Sequence, residues 1–358
     1  MKPQLATQPE FDFGLATADS LYPLDRRSKH LFPAAQLVRE AGKDKVLELF
    51  RDDKDCTRYI EATAEFQSNE DTSLACLFSG FAMTGLPHRR PENDKNEAWT
   101  RQNGRFTLMI EPGSLLINRE SVKCGVPYGS RARLIMLYLQ SEAVRTNSRI
   151  VELGSSMSRW MANMGVGTGG GNYAAIREQS RRISACRISV GWQADEEKPA
   201  SDRSGNPGFQ RANIVSSMLF ARNGDETNSQ SSWESTCMLS TEFFEALQHH
   251  PVPVLEAAIK AINNSSLSMD LYCWLAYRLH SLNKPINISW AALQSQFGTD
   301  APAERIRDFR RRFLVNLNEV FAVYPEAQIA INETAGLTLH PSPPPVPERG
   351  NARLMRAS

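Results

Sequence analysis

One eight-residue pattern occurs twice in this chain and constrains its fold more than any other feature. Ile176-Arg177-Glu178-Gln179-Ser180-Arg181-Arg182-Ile183 returns as Ile306-Arg307-Asp308-Phe309-Arg310-Arg311-Arg312-Phe313, with apolar, basic and acidic positions in register. At about 100° per residue, Ile176 with Ile183 and Ile306 with Phe313 fall on one apolar stripe, and Arg177, Arg181, Arg307 and Arg311 project from the opposite side. Each copy is therefore expected to be an amphipathic helix with its guanidinium groups outward.

The segments around the two copies repeat as well. An apolar helix from Arg131 to Arg145 precedes the strand-like Ile150-Val151-Glu152-Leu153, and a second helix runs from Ser156 towards Met164 and stops at Gly165. Later, a helix from Met269 to Leu282 precedes Pro285-Ile286-Asn287-Ile288, and a short helix from Ala291 stops at Gly298. Each basic helix leads into extended segments: Ile188 to Trp192 with Ile214 to Phe220, and Gln328 to Ile331 with Leu337 to Leu339. The order helix, strand, helix, helix, hairpin is that of a winged helix, whose third helix enters the DNA major groove. The expected fold class is α+β, with tandem winged-helix (winged helix-turn-helix) domains and an N-terminal extension.

This places an extension at 1–70, polar apart from one amphipathic stretch from Pro33 to Phe50, and a first winged-helix domain at 71–240. The first domain has leading strands at Thr72 to Thr84 and Arg105 to Ile117, and a long wing at Ala194 to Pro207. A second winged-helix domain follows at 241–340, entered through helices at Glu242 to His249 and Val254 to Ile262. A Pro-rich basic tail closes the chain at 341–358, expected to be extended.

A net charge of +1 over 358 residues excludes a uniformly basic coat, so a nucleic-acid surface must come from local clustering. Asn172 to Arg187 holds four arginines and one glutamate, and Glu304 to Arg312 holds five arginines and two acids. The expected DNA-binding residues are Asn172, Arg177, Arg181 and Arg182 in the first copy, and Arg305, Arg307, Arg311 and Arg312 in the second. A guanidinium can pair with guanine O6 and N7 or clamp a phosphate, and the sequence leaves both roles open to each arginine. Taking Ile306 as zero, Phe309, Arg310, Phe313 and Leu317 lie within about 60° of the apolar centre, so Arg310 is the one charge expected to snorkel. Glu178 is expected to pair with Arg182 four residues on.

Gly165-Val166-Gly167-Thr168-Gly169-Gly170 satisfies G-x-G-x-x-G, but a helix precedes it where a dinucleotide site needs a strand. The reading kept for it is a turn that ends at Asn172 as N-cap and offers backbone N–H groups to a DNA phosphate, with a plain flexible connection as the alternative. Gly42-Lys43-Asp44 lacks the rest of a phosphate-binding loop. The six cysteines are dispersed without metal-ligand spacing, and His249-His250 diverge as adjacent side chains, which argues against a metal-dependent nickase. His280 reads as a packed or capping histidine, and Tyr272, Trp160, Trp274 and Trp290 read as core. No catalytic residue, metal or cofactor is expected. No apolar run of membrane-spanning length occurs, so the chain is expected to be cytoplasmic.

Further blocks carry a resemblance. They are Gly125-Val126-Pro127-Tyr128-Gly129-Ser130-Arg131-Ala132-Arg133-Leu134, Ser141-Glu142-Ala143-Val144-Arg145 and Glu152-Leu153-Gly154 with the Gly-rich turn. In the second half they are Asp270-Leu271-Tyr272-Cys273-Trp274-Leu275, Trp290-Ala291-Ala292-Leu293, Gln296-Phe297-Gly298 and Val323-Tyr324-Pro325-Glu326-Ala327. Over roughly 75–345 the chain resembles the plasmid-encoded RepA-type replication initiators. The resemblance implies a protein that binds repeated origin sites in double-stranded DNA, opens nearby duplex, and recruits the host initiator and replicative helicase. It also implies a homodimer as autorepressor and a monomer at the origin. A tandem winged-helix transcriptional regulator without initiation activity is the alternative.

Overall fold

The computed structural model describes residues 17–22, 30–70, 72–104, 106–117, 119–192, 208–216, 236–298 and 304–346. It opens with α1 (Ala18–Leu21), α2 (Ala34–Ala41), α3 (Lys43–Leu49) and α4 (Lys54–Ser68). The single stretch expected from Pro33 to Phe50 is thus two helices. They break at Gly42, whose φ of 82° suits a residue without Cβ. The α4 helix carries a weak sequence signal because, of its buried residues Cys56, Tyr59, Ile60, Ala62 and Thr63, only Ile60 is a large aliphatic. Asp53 caps it by accepting from the Asp55 and Cys56 N–H groups, both at 3.0 Å.

Next come β1 (Leu74–Phe78), α5 (Ser79–Thr84), β2 (Trp99–Asn103), β3 (Phe106–Glu111), β4 (Gly113–Ile117) and β5 (Glu120–Cys124). The strand expected over Thr72 to Thr84 therefore turns helical halfway. The first repeat unit follows as α6 (Gly129–Thr146), β6 (Ile150–Glu152), α7 (Met157–Asn163), α8 (Gly170–Ala185), β7 (Arg187–Trp192), β8 (Gly208–Asn213) and β9 (Thr236–Met238). Next are α9 (Thr241–His249), β10 (Pro251–Leu255) and α10 (Glu256–Ala261). The second unit is α11 (Ser266–Leu279), β11 (Ile286–Ser289), α12 (Trp290–Phe297), α13 (Ile306–Val323), β12 (Ile329–Asn332) and β13 (Gly336–Leu339).

The class is mixed α and β with small antiparallel sheets, and both units run helix, strand, helix, helix, strand, strand. The second closes its own sheet in the order β11-β13-β12. The first does not. Its β7–β8 hairpin joins the leading strands in a sheet ordered β2-β3-β7-β8, while β6 pairs with β9. The partner of β7 is Gly208–Asn213 rather than the expected Ile214 to Phe220, and the wing at Ala194 to Pro207 lies outside the described residues, as does the tail beyond Val346.

Two observations tie the units together. The helix expected at Val254 to Ile262 is present as α10 (Glu256–Ala261), but Val254 and Leu255 belong to β10 (Pro251–Leu255), which pairs with β1. Pro251 and Pro253 are tolerated there because a two-stranded sheet has only edges. Buried apolar residues also form one cluster from Tyr22 to Leu339, across the boundaries at 70 and 240. Trp160, Tyr272 and Trp274 sit within it as expected, and His280 ends α11 with its ring 2.8 Å from the Ala276 carbonyl. All six cysteines are free and buried, and burial pushes the Cys76, Cys186 and Cys237 thiols up to about 12. No helix among the described residues is long and apolar enough to cross a membrane.

Candidate nucleic-acid interface

The α8 helix is anchored by Ile176 and Ile183, both fully buried. Its N-cap is Gly169, with no side-chain cap, so the cap expected at Asn172 is corrected: this residue sits three positions further on. Asn172 instead secures the turn, its Oδ1 accepting from Arg131 at 3.0 Å and its Nδ2 donating to the Gly167 carbonyl at 2.9 Å. At Gly169, Gly170 and Gly171 a Cβ would meet nothing within 4 Å, so the start of α8 is uncrowded, and the Asn172 and Tyr173 N–H groups close its first turn on the Gly169 carbonyl.

Arg177 is exposed and Arg181 half-buried. Arg182 is not available to DNA, which corrects its assignment. Its side chain is 4% exposed against 3% for Asp94, with which it pairs. The same guanidinium donates to the Val126 carbonyl at 2.9 Å and to Glu178 at 2.8 Å, and lies 4.9 Å from the Tyr128 ring centre. The expected Glu178 pair is present, but the deciding partner is Asp94. A buried guanidinium needs that carboxylate, because unpaired it would carry a desolvation penalty of several kcal/mol, of order 3–5.

The α13 helix is divided along its length. Phe309, Phe313 and Leu317 are fully buried and face the core, and beyond Phe313 every residue is buried or half-buried. Burying each of these side chains contributes roughly 1.5–3 kcal/mol. Arg305, Ile306, Arg307, Asp308 and Arg311 stay exposed on the first two turns. Ile306 departs from the expected apolar stripe at 46% exposure, since the helix begins one turn ahead of the core. Arg310 is drawn back as expected, donating to the Glu333 carbonyl with its guanidinium 5.7 Å from the Trp290 ring centre. Arg312 pairs with Glu304 through Nε and Nη2, both at 2.9 Å, and its side chain keeps 25% exposure.

The N-terminal helices grip the far half of α13. Arg58 of α4 pairs with Glu319, Thr63 donates to the Ala322 carbonyl at 3.0 Å, and the Phe32 N–H donates to Asn318 at 2.6 Å. A cleft of about 350 Å³ remains between this extension and the arginines, lined by Tyr22, Asp53, Asp55, Arg307, Arg310 and Arg311.

A second buried pair, absent from the sequence expectations, joins the units. Arg133 of α6 meets Asp270 of α11 through two bonds of 2.6 Å, at 7% and 11% exposure, and also donates to the Leu86, Pro87 and Gly129 carbonyls. Arg101 donates to the Gln296 and Gly298 carbonyls at 2.7 and 3.1 Å, fixing the end of α12 against β2. The available signal was an arginine inside an otherwise apolar stretch, Ala132 to Leu139. Burial and the nearby Arg133 push the His88 imidazole well below its usual value. No group of three or more His, Cys, Asp or Glu residues among the described ones could hold a metal.

Residues 126–292 match the family of the plasmid encoded RepA protein. This segment, 167 of the 358 residues, is similar to that family. It contains α6 to α11, including α8 and both residues of the Arg133–Asp270 pair, whereas α13 follows the RepA match. No curated protein matches the chain. Solved structures similar to it include two of RctB. One, of selenomethionine derivatives of domains 2 and 3 of RctB, is 12% identical over 71% of this chain and 89% of that chain, with a TM-score of 0.43. The other, of RctB domains 2-3, is 13% identical over 72% and 94%, with a TM-score of 0.41.

Proposed function

We propose that the chain is a plasmid replication initiator that binds repeated origin sequences (iterons) in double-stranded DNA and promotes origin opening and host replisome recruitment. Two winged-helix units, 71–240 and 241–340, do the binding, and no residue of the chain is catalytic. The observation that carries this reading is the exposed tip of α13, where Arg305, Arg307 and Arg311 face solvent on a helix held by Phe309 and Phe313. A helix docked by its N-terminal turns is how winged helices meet base edges. The RepA-type match and the β11-β13-β12 sheet behind α13 support the same reading.

In this reading α8 approaches the backbone through its open glycine turn, with Arg177 and Arg181 behind it, and α13 reads bases. Host initiator and replicative helicase are the partners, and a homodimer is the repressing form. Footprinting of the full chain on the DNA flanking its gene tests the binding: direct repeats of about two helical turns are expected, and no protection would refute it. A transcriptional regulator shares the same helices, so replication itself is tested in trans. Supplying the gene should let a plasmid that carries only the origin persist, and failure alongside a clear footprint would favour the regulator.

A further inference from the structure

Among the described residues the large apolar side chains left exposed are Leu116, Val122, Ile150 and Ile306. Leu116 and Val122 belong to the β4–β5 hairpin and Ile150 to β6, so Ile306 is the one carried by a basic helix. Single exposed apolar residues are ordinary on protein surfaces, and only placement gives one significance. Ile306 is the first residue of α13, between the exposed Arg305 and Arg307. Helical Cα–Cβ bonds tilt towards the N-terminus, so a first-turn side chain projects beyond the leading end of the helix. The residue one turn behind it, Arg310, is held back on the Glu333 carbonyl and the Trp290 face. The tip of α13 therefore presents a branched aliphatic group flanked by guanidinium groups, ahead of Phe309, the first residue of the helix to enter the core.

In the major groove the apolar feature that a base edge offers is the thymine C5-methyl group. We propose that Ile306 is a specificity-determining residue that packs on the methyl of one thymine while Arg307 and Arg311 engage neighbouring bases or phosphates. This rests on the DNA-reading function proposed above and adds to it a base preference at one position.

The test begins with the full chain selecting its site from a random duplex DNA library. The selected duplex is then remade with deoxyuridine in place of each thymine in turn, which removes only the methyl. For the unchanged chain, one position is expected to lose about four-fold in affinity, the value of burying one methyl-sized group. Ile306→Ser, with an unaltered melting curve, should bind the thymine and uracil duplexes equally at that position. Arg311→Ala should weaken both duplexes in parallel and keep their ratio. A selected site with no uracil-sensitive position would overturn the assignment, as would Ile306→Ser keeping the full sensitivity, and the DNA-reading function would survive either result. Selection of no sequence at all would overturn that function itself.

Discussion

The α8 and α13 helices carry one charge pattern and use it in two ways. Arg182 and Arg312 occupy equivalent places in the repeat, yet one is sealed between Asp94, Glu178 and Tyr128 and the other shares an edge of solvent with Glu304. Ile176 and Ile306 are equivalent too, one fully buried and the other half in water. The difference lies in where each helix starts. The α8 helix begins at Gly170, so Ile176 is well inside it, whereas Ile306 opens α13. At the start of α8 the exposed residues are accordingly Gly170, Gly171 and Ala174, with Asn172 and Tyr173 half-buried, while the leading turn of α13 exposes Ile306, Arg307 and Asp308. A repeat in sequence reports a shared helix face; what packs on that face is settled elsewhere in the chain.

The contrast can be broken most severely through the two ion pairs. Asp94→Ala leaves the Arg182 guanidinium buried without its deepest partner and is expected to cost about 3–5 kcal/mol of stability, read from urea unfolding. Salt tests the exposed set next. With Arg182 inside the protein and Arg312 paired, the exposed Arg177, Arg305, Arg307 and Arg311 are the set expected to meet phosphates. Four such contacts give a slope of log K against log salt of roughly −3 to −4, so affinity should fall about a hundred-fold between about 50 and 200 mM salt. A slope near zero would refute the interface.

Base reading separates the helices further. Arg311→Ala is expected to cost about 1–3 kcal/mol of binding and to relax preference at one base pair, while Arg177→Ala should weaken all sequences uniformly and reduce the salt slope by about 1. The reverse pattern in competition binding would exchange the roles of the two units.

A smaller effect concerns His88, where the units meet. Burial and Arg133 keep its imidazole neutral well below 6.5, the value expected when unfolded. The unfolded chain then binds the proton first, so stability is full above that pH and declines as pH falls below it. Denaturation midpoints followed against pH should show this acid loss in the unchanged protein and not in His88→Asn. The smallest change is expected from Glu304→Ala. It releases a partly exposed Arg312 and should move stability by no more than about 1 kcal/mol, which an unfolding curve as shifted as that of Asp94→Ala would contradict.

Much of this was legible in the residues alone. The 3.6-residue periodicity marked α6, α7, α8, α11, α12 and α13, and Ser156 and Ser289 capped their helices as such residues do. The blocks Gly125 to Leu134 and Asp270 to Leu275 pointed to the RepA type, which the match over 126–292 bears out. These are local signals, since a helix, a cap or a family block is written in neighbouring residues. Burial of charge is different. Asp94 stands 88 residues from Arg182, and Asp270 stands 137 from Arg133. Arg133 stood out only as a charge within the apolar stretch Ala132 to Leu139, and nothing near Arg182 distinguished it from the arginines that face water. The sequence by itself determined the helices of the two repeat units and the basic faces of α8 and α13. Only the packed chain decided which guanidinium groups stay outside and that Ile306 stands clear of the core, because desolvation and pairing depend on groups that folding alone brings together.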